Sequence, residues 1–354
     1  MSRLVVGVLG ALGGAVAGCG GGADGGAPAS AGGVSASGGT TAGGTAAGGA
    51  SGSGGAHSAA GAGTAGAGGA GCRGDVTVNS PKSIQDLAGV TCAETLFVTN
   101  SILTNLAGLE GLTKLSSLVI GWTPPRSFDA EGNQVLESLK GLEGLREVSH
   151  IHVEANPKLT DLSALSGLVA LNGDITIIDN AALASLEGLH NLTETNDVEL
   201  TGNASLLDLK GLRGLTELNS LVLVQNPLLK NFTGLERVTF FGSWSSEVRS
   251  NDALEDFTGL GAVTSIGNSF RVSNNKVLKS FAGLEGLTRF AWTLSVTENP
   301  ELTSIAALSG VTEIRSDVTF ENNPKLPSCQ VDVWLGGLSK TCSCSGNDDL
   351  ASCQ

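Results

Sequence analysis

Few residues in this chain have the types and spacing that chemistry requires. "GAGTAG", Gly61 to Gly66, matches the G-x-G-x-x-G phosphate-binding fingerprint. That fingerprint works only between a strand and a helix, and here it sits in low-complexity sequence, so no nucleotide site is expected. Cys342 and Cys344 form a C-x-C pair that could hold zinc, but no histidine stands near them. Asp129, Glu131 and Asn133 alternate oxygen ligands as in a calcium loop, yet not in the EF-hand order. His150 and His152 could share one face of a strand, but a third ligand is missing. The outward charges Glu154, Glu199 and Arg271 are scattered, where acid–base catalysis needs converging groups. No catalytic residue, no metal site and no cofactor is expected, and the binding candidates come from the framework that carries them.

Repetition dominates that framework. "VEANPKLTDLSALSGLVAL", "TGNASLLDLKGLRGLTEL" and "VTENPELTSIAALSGVTEI" are versions of one phrase. Aligned on its asparagine, the phrase gives Asn156, Asn180, Asn203, Asn226, Asn251, Asn275, Asn299 and Asn323, in steps of 24, 23, 23, 25, 24, 24 and 24 residues. A leucine follows each three residues later, from Leu159 to Leu326. A period of this length marks a solenoid. Before each asparagine lies a short alternating stretch, which predicts one strand per coil. Its inward pairs would be Ile175 and Ile177, Val198 and Leu200, Leu221 and Leu223, Phe270 and Val272, Leu294 and Val296, and Val318 and Phe320. The asparagine amide can satisfy backbone groups where the chain turns, and stacked copies would form a ladder. Leucines at every third position, Leu206 through Leu218, suit short 3₁₀ turns or extended coil better than an α-helix.

No single coil can bury its apolar face, so stability must come from stacking, and the two ends need caps. The expected fold is mainly β: a right-handed parallel β-solenoid of about 23–24-residue coils over residues 72–328, with a Cys-rich cap at 329–354. The stretch from Gly173 to Leu212 resembles leucine-rich repeats and, more closely, the receptor L-domain. That resemblance covers about residues 75–326. It implies a β-solenoid that binds proteins or glycans and carries no catalytic residues.

The N-terminus reads as an address. Arg3 precedes an apolar run from Leu4 to Ala17, the layout of an export signal over residues 1–18. "VAGC", Val16 to Cys19, resembles the bacterial lipobox, which implies cleavage before Cys19 and lipid on its thiol; an ordinary signal peptide is the alternative. Gly20 follows the cysteine in place of the aspartate that commonly retains such proteins at the inner membrane, which leaves the outer membrane or cell surface as the expected location. Residues 19–71 are nearly all Gly, Ala, Ser and Thr and cannot bury enough apolar surface to order themselves, so a disordered linker is expected. As a flexible coil it would span roughly 40 Å.

Seven cysteines less Cys19 leave six: Cys72, Cys92, Cys329, Cys342, Cys344 and Cys353. An even number in an exported chain predicts disulfides; the simplest pairing joins Cys72 to Cys92 and makes two bridges among the last four. The net charge of −14 argues against nucleic acid and against charge-driven attachment to anionic lipid. Contact with a membrane is expected through the lipid anchor only.

Two places are candidates for recognition. One is the insertion Gly121 to Gln134, which lengthens a coil and holds Trp122, Arg126 and Phe128. The other is the outward row of the strands: Phe97, Val119, His152, Thr176, Glu199, Val222, Arg271, Ser295 and Thr319. A second irregular stretch, "FFGSWSSEVRSND", sets Trp244 and Arg249 near a turn and assigns Phe240 and Phe241 to the core. Together these features point to a non-enzymatic envelope protein that binds a protein or glycan. A polysaccharide-degrading β-helix and a passive envelope spacer are the alternatives.

Overall fold

A computed structural model describes residues 71–121, 132–242 and 244–353. The signal segment, Cys19, the Gly-rich linker and Trp122, Arg126, Phe128, Asp129 and Glu131 lie outside the described residues. From Gly71 onward the chain winds as a parallel β-solenoid of about 11 turns. Its long sheet has 12 strands among the described residues, each paired in parallel with the next coil's. It begins with Val76–Val78, Cys92–Val98, Lys114–Ile120 and Glu147–Glu154 and closes with Val318–Glu321 and Ser343–Ser345.

The register stacks like on like. Ile175 pairs with Val198 and Val198 with Leu221; Ile177 pairs with Leu200 and Leu200 with Leu223. Phe270, Leu294 and Val318 form one inward row, and Val272, Val296 and Phe320 the next. All of these side chains are buried. Period-two alternation thus delivers two apolar residues per coil to a shared interior.

The leucines at every third position line the opposite side of that interior. Leu206 donates its amide to the Asn203 carbonyl, Leu212 to Leu209, and Leu215 to Leu212, each three residues back. These are 3₁₀-type bonds, and they turn every third side chain inward. Longer 3₁₀ pieces occur at Ser163–Leu165, Lys210–Leu212 and Ala306–Gly310. In the C-terminal half phenylalanine replaces some of the leucines. The Phe257 ring stacks between Phe232 and Phe281, with centroids 5.2 and 4.9 Å away.

A short second sheet completes the coils with the two-residue strands Glu217–Leu218, Phe240–Phe241, Ser265–Ile266, Arg289–Phe290 and Glu313–Ile314. Threonines fasten it along its edge. The hydroxyls of Thr216, Thr239, Thr264, Thr288 and Thr312 each donate to the carbonyl of the threonine one coil earlier, over 2.9–3.4 Å.

The asparagines form the ladder that holds the turns. From Asn156 to Asn323 each backbone amide donates to the next coil's asparagine Oδ1 at 3.0–3.3 Å. All eight side chains are fully buried. The row is longer than those eight: Asn133 joins it below Asn156, and Asn347 accepts from Asn323 at the far end. Asn133 is therefore buried in the turn and is not a calcium ligand in the insertion. The residue before each ladder position has left-handed φ: Ala155, Asp179, Gly202, Gln225, Ser250, Asn274, Glu298 and Asn322. A non-glycine residue there costs about 1–2 kcal/mol. The asparagine offsets this by bonding across it; Asn226 Nδ2, for example, reaches the Val224 carbonyl at 3.2 Å.

Each end is capped. Cys72 is bridged to Cys92, and helix α1 (Pro81–Gln85) starts from a Ser80–Ser83 capping box. At the other end helix α2 (Ser328–Gly337) buries Val331 and Leu335 on the last coil. Trp334 packs edge-on against Phe320 and donates from Nε1 to the Leu308 carbonyl at 2.9 Å. Cys329–Cys353 and Cys342–Cys344 bridges tie down the cap.

Candidate functional site

The outward face of the long sheet is built by the same alternation that builds the core. Register carries one row across the strands: Phe97, Val119, His152, Thr176, Glu199, Val222, Glu247, Arg271, Ser295, Thr319 and Ser343. His152, Thr176, Glu199 and Arg271 thus stand on one line, about 4.8 Å apart per strand. Val119 belongs to the line but is 8% exposed and adds little accessible surface.

Glu247 is the member that alternation alone misses. Its strand carries Ser246 at the inward position where the other coils have an apolar residue. Ser246 is buried, and its hydroxyl satisfies the Leu221 amide at 3.1 Å. A polar inward residue masks the strand in a hydrophobicity pattern. Phe240 departs from expectation in the opposite sense. It faces outward from the short sheet at 38% exposure, and Phe241 alone of the pair is core.

Acidic and imidazole groups gather on the N-terminal half of the face. His152 Nε2 lies 2.8 Å from Glu154 Oε2. His150 Nδ1 accepts from the Asp174 amide at 3.4 Å and lies 3.6 Å from its carboxylate. Burial, reinforced by Asp174, raises the Asp197 carboxyl above its ordinary range. Asp179 is raised by burial and then by Glu154. Further along, Arg249 Nε pairs with Glu247 at 2.7 Å. Among the described residues no group of three or more His, Cys, Asp and Glu is placed to hold a metal ion. The arrangement offers hydrogen bonding and both charge signs along a line, which suits binding of an extended partner.

The insertion leaves from beside this face. Its residues Gly121 and Gly132 are both at left-handed φ. A Cβ on Gly121 would lie 1.7 Å from the Glu154 carbonyl oxygen, and one on Gly132 1.9 Å from that of Ala155. Glycine is required at both, because only a bare backbone fits against the next coil. Away from the sheet, a groove of about 970 Å³ runs between α2 and the final turns, lined by Ile305, Val311, Val333 and Leu338 among others. No helix among the described residues is long and apolar enough to cross a membrane. No protein-family model matches the chain, and comparison with curated proteins finds no relative.

Proposed function

We propose that this is a non-enzymatic, lipid-anchored cell-envelope protein whose solenoid binds a protein or glycan partner along its outer surface. One observation carries the reading: the coils are alike inside and unlike outside. Inward rows keep Leu, Val, Ile or Phe at nearly every coil, Ser246 being a polar exception, and the turns keep asparagine. The row directly outside passes from Phe97 through His152, Thr176 and Glu199 to Arg271 and Ser295. Stacking dictates the first pattern and is indifferent to the second. A surface relieved of structural duty, with varied chemistry over many coils, is suited to recognising something long.

The lipobox-like "VAGC" and the Gly-rich stretch after it support an anchor at Cys19 and a tether toward the outer membrane or cell surface. The likeness to leucine-rich repeats and the receptor L-domain supports a binding role. Palmitate labelling of cells tests the anchor: the native chain takes up label and Cys19→Ala does not. Binding is tested with the detergent-solubilised chain on immobilised glycans and envelope proteins. Alanine at His152, Glu199 and Arg271 together is expected to weaken capture; undiminished capture would remove the sheet face from the proposal.

A further inference from the structure

One corner of the solenoid, where each coil enters the long sheet, carries a second row of outward residues. Extending the strand register back by one or two residues aligns Gly173, Asn196, Asn219, Trp244, Asn268, Trp292 and Ser316. Hydrogen bonds along the corner agree. The Asn196 amide donates to the Gly173 carbonyl at 2.9 Å, Asn219 Nδ2 to Asn196 Oδ1 at 3.5 Å, and the Trp244 amide to the Asn219 carbonyl at 3.4 Å. Trp244 is 65% exposed and Trp292 55%. Exposing two indoles sacrifices the burial that normally stabilises so large an apolar side chain.

We propose that this corner is a binding site for a linear, neutral β-1,4-linked polysaccharide lying along the solenoid axis; the inference rests on the binding role argued above. Three features select that ligand. The row carries no charge in a chain of net charge −14, so it suits neither a charged peptide nor nucleic acid. The two tryptophans are two coils apart, about 9.6 Å at the usual strand spacing. Successive sugars of an extended β-1,4 chain are flipped, so every second unit presents the same face, and two units span a comparable distance. Each indole can then stack on the apolar C–H face of units n and n + 2. Asn268, between them, meets the hydroxyls of unit n + 1, and Asn219 and Asn196 continue the polar contacts toward the N-terminal coils. The solenoid pitch and the sugar repeat stay in step because both are set by nearly the same spacing.

The test uses the detergent-solubilised full chain, titrated with cellohexaose, xylohexaose and chitohexaose under tryptophan fluorescence and pulled down on insoluble cellulose and chitin. Native protein is expected to bind at least one of these chains with a shift in emission. Trp244→Ala and Trp292→Ala should each weaken binding roughly tenfold, the factor that about 1.4 kcal/mol of stacking represents. The double variant should abolish it with an unchanged circular dichroism spectrum, and Trp→Phe should restore part of it. Glycan binding unaffected by both alanines would overturn the corner site and leave the binding role standing. Capture of an envelope protein without any β-1,4 glycan binding would do the same. Failure to bind either class would overturn both.

Discussion

Replacing one rung in the middle of the asparagine ladder measures what the ladder contributes. Asn226 makes its contacts in full burial. Its Nδ2 donates to the Leu200 carbonyl at 2.8 Å and the Val224 carbonyl at 3.2 Å, and its Oδ1 accepts from the Asn203 amide at 3.3 Å. Asn226→Ala leaves that buried amide without its acceptor, which costs about 2 kcal/mol, and removes the two bonds donated to backbone carbonyls at about 1 kcal/mol each. The Val224 carbonyl keeps the Gly202 amide at 2.9 Å, so it is not orphaned. The sum is about 3–5 kcal/mol, far above the effect of a change on the outward sheet face such as Ser295→Ala.

Asn226→Asp sharpens the test. It keeps the accepting oxygen but turns a second oxygen toward two carbonyls. Ionisation is then opposed by burial and by those dipoles, so the folded-state pKa must rise above the unfolded value of about 3.9. The sign follows: the penalty is absent below about pH 3.9, where both states are protonated, and grows as pH rises toward the folded pKa. The aspartate variant should be less stable than the alanine variant at pH 7 and more stable at pH 3, because the protonated acid can still donate one bond. Urea unfolding at both pH values gives the ordering, and hydrogen exchange at the Asn203 amide gives the local effect. If Asn226→Ala stays within about 0.5 kcal/mol of Ser295→Ala, or the aspartate variant shows no change of order with pH, the ladder is not what holds the turns.

Three other perturbations address separate parts of the molecule. Phe257→Ala empties the centre of the ring stack and should cost about 3–5 kcal/mol in urea unfolding. Cys329→Ser opens a bridge between residues 24 apart in sequence and should cost about 3.5 kcal/mol by loop entropy, seen as faster proteolysis after Leu326; opening Cys342–Cys344, two residues apart, should matter much less. Asp179→Asn removes a carboxylate whose raised pKa opposes folding when ionised, at a left-handed position that asparagine tolerates. Its stability gain should be present at pH 7 and vanish below the ordinary Asp pKa of 3.8, as thermal melts at the two pH values would register.

The interior was readable from sequence because stacking imposes the same demand on every coil. Leucine spacing, inward strand pairs and eight of the asparagines all express one constraint repeated. Two rungs are hidden in the sequence for a physical reason. Asn133 lies near the end of an insertion that breaks the period, and Asn347 sits in a cap whose leucines have given way to cysteines, though "SGND" still carries the Gly-Asn of "TGNAS". The left-handed residues were illegible, since Ala155, Gln225 and Glu298 have no preference for that conformation and are held there by the next residue's amide. The threonine edge was visible in the recurring "LT" and "VT" before each short strand, but a hydroxyl bonding one coil back is not a hydrophobic pattern.

The outer surface follows a different logic, and that governs what it can recognise. Each coil adds one residue to every outward row at a fixed spacing of about 4.8 Å, so chemistry along the axis changes only in steps of that size. A row such as Asn219, Trp244, Asn268, Trp292 can alternate aromatic and amide without disturbing the core, because these side chains lie outside the turns that the ladder secures. Larger variation must leave the coil where its exit can be closed again. The insertion does so between Gly121 and Gly132, after the strand has paired and before Asn133 resumes the ladder. The ladder therefore sets both the rigidity of the scaffold and the grammar of its surface: side-chain chemistry varies in regular steps along the rows, and the coil itself departs from its period where two glycines fit against the next coil.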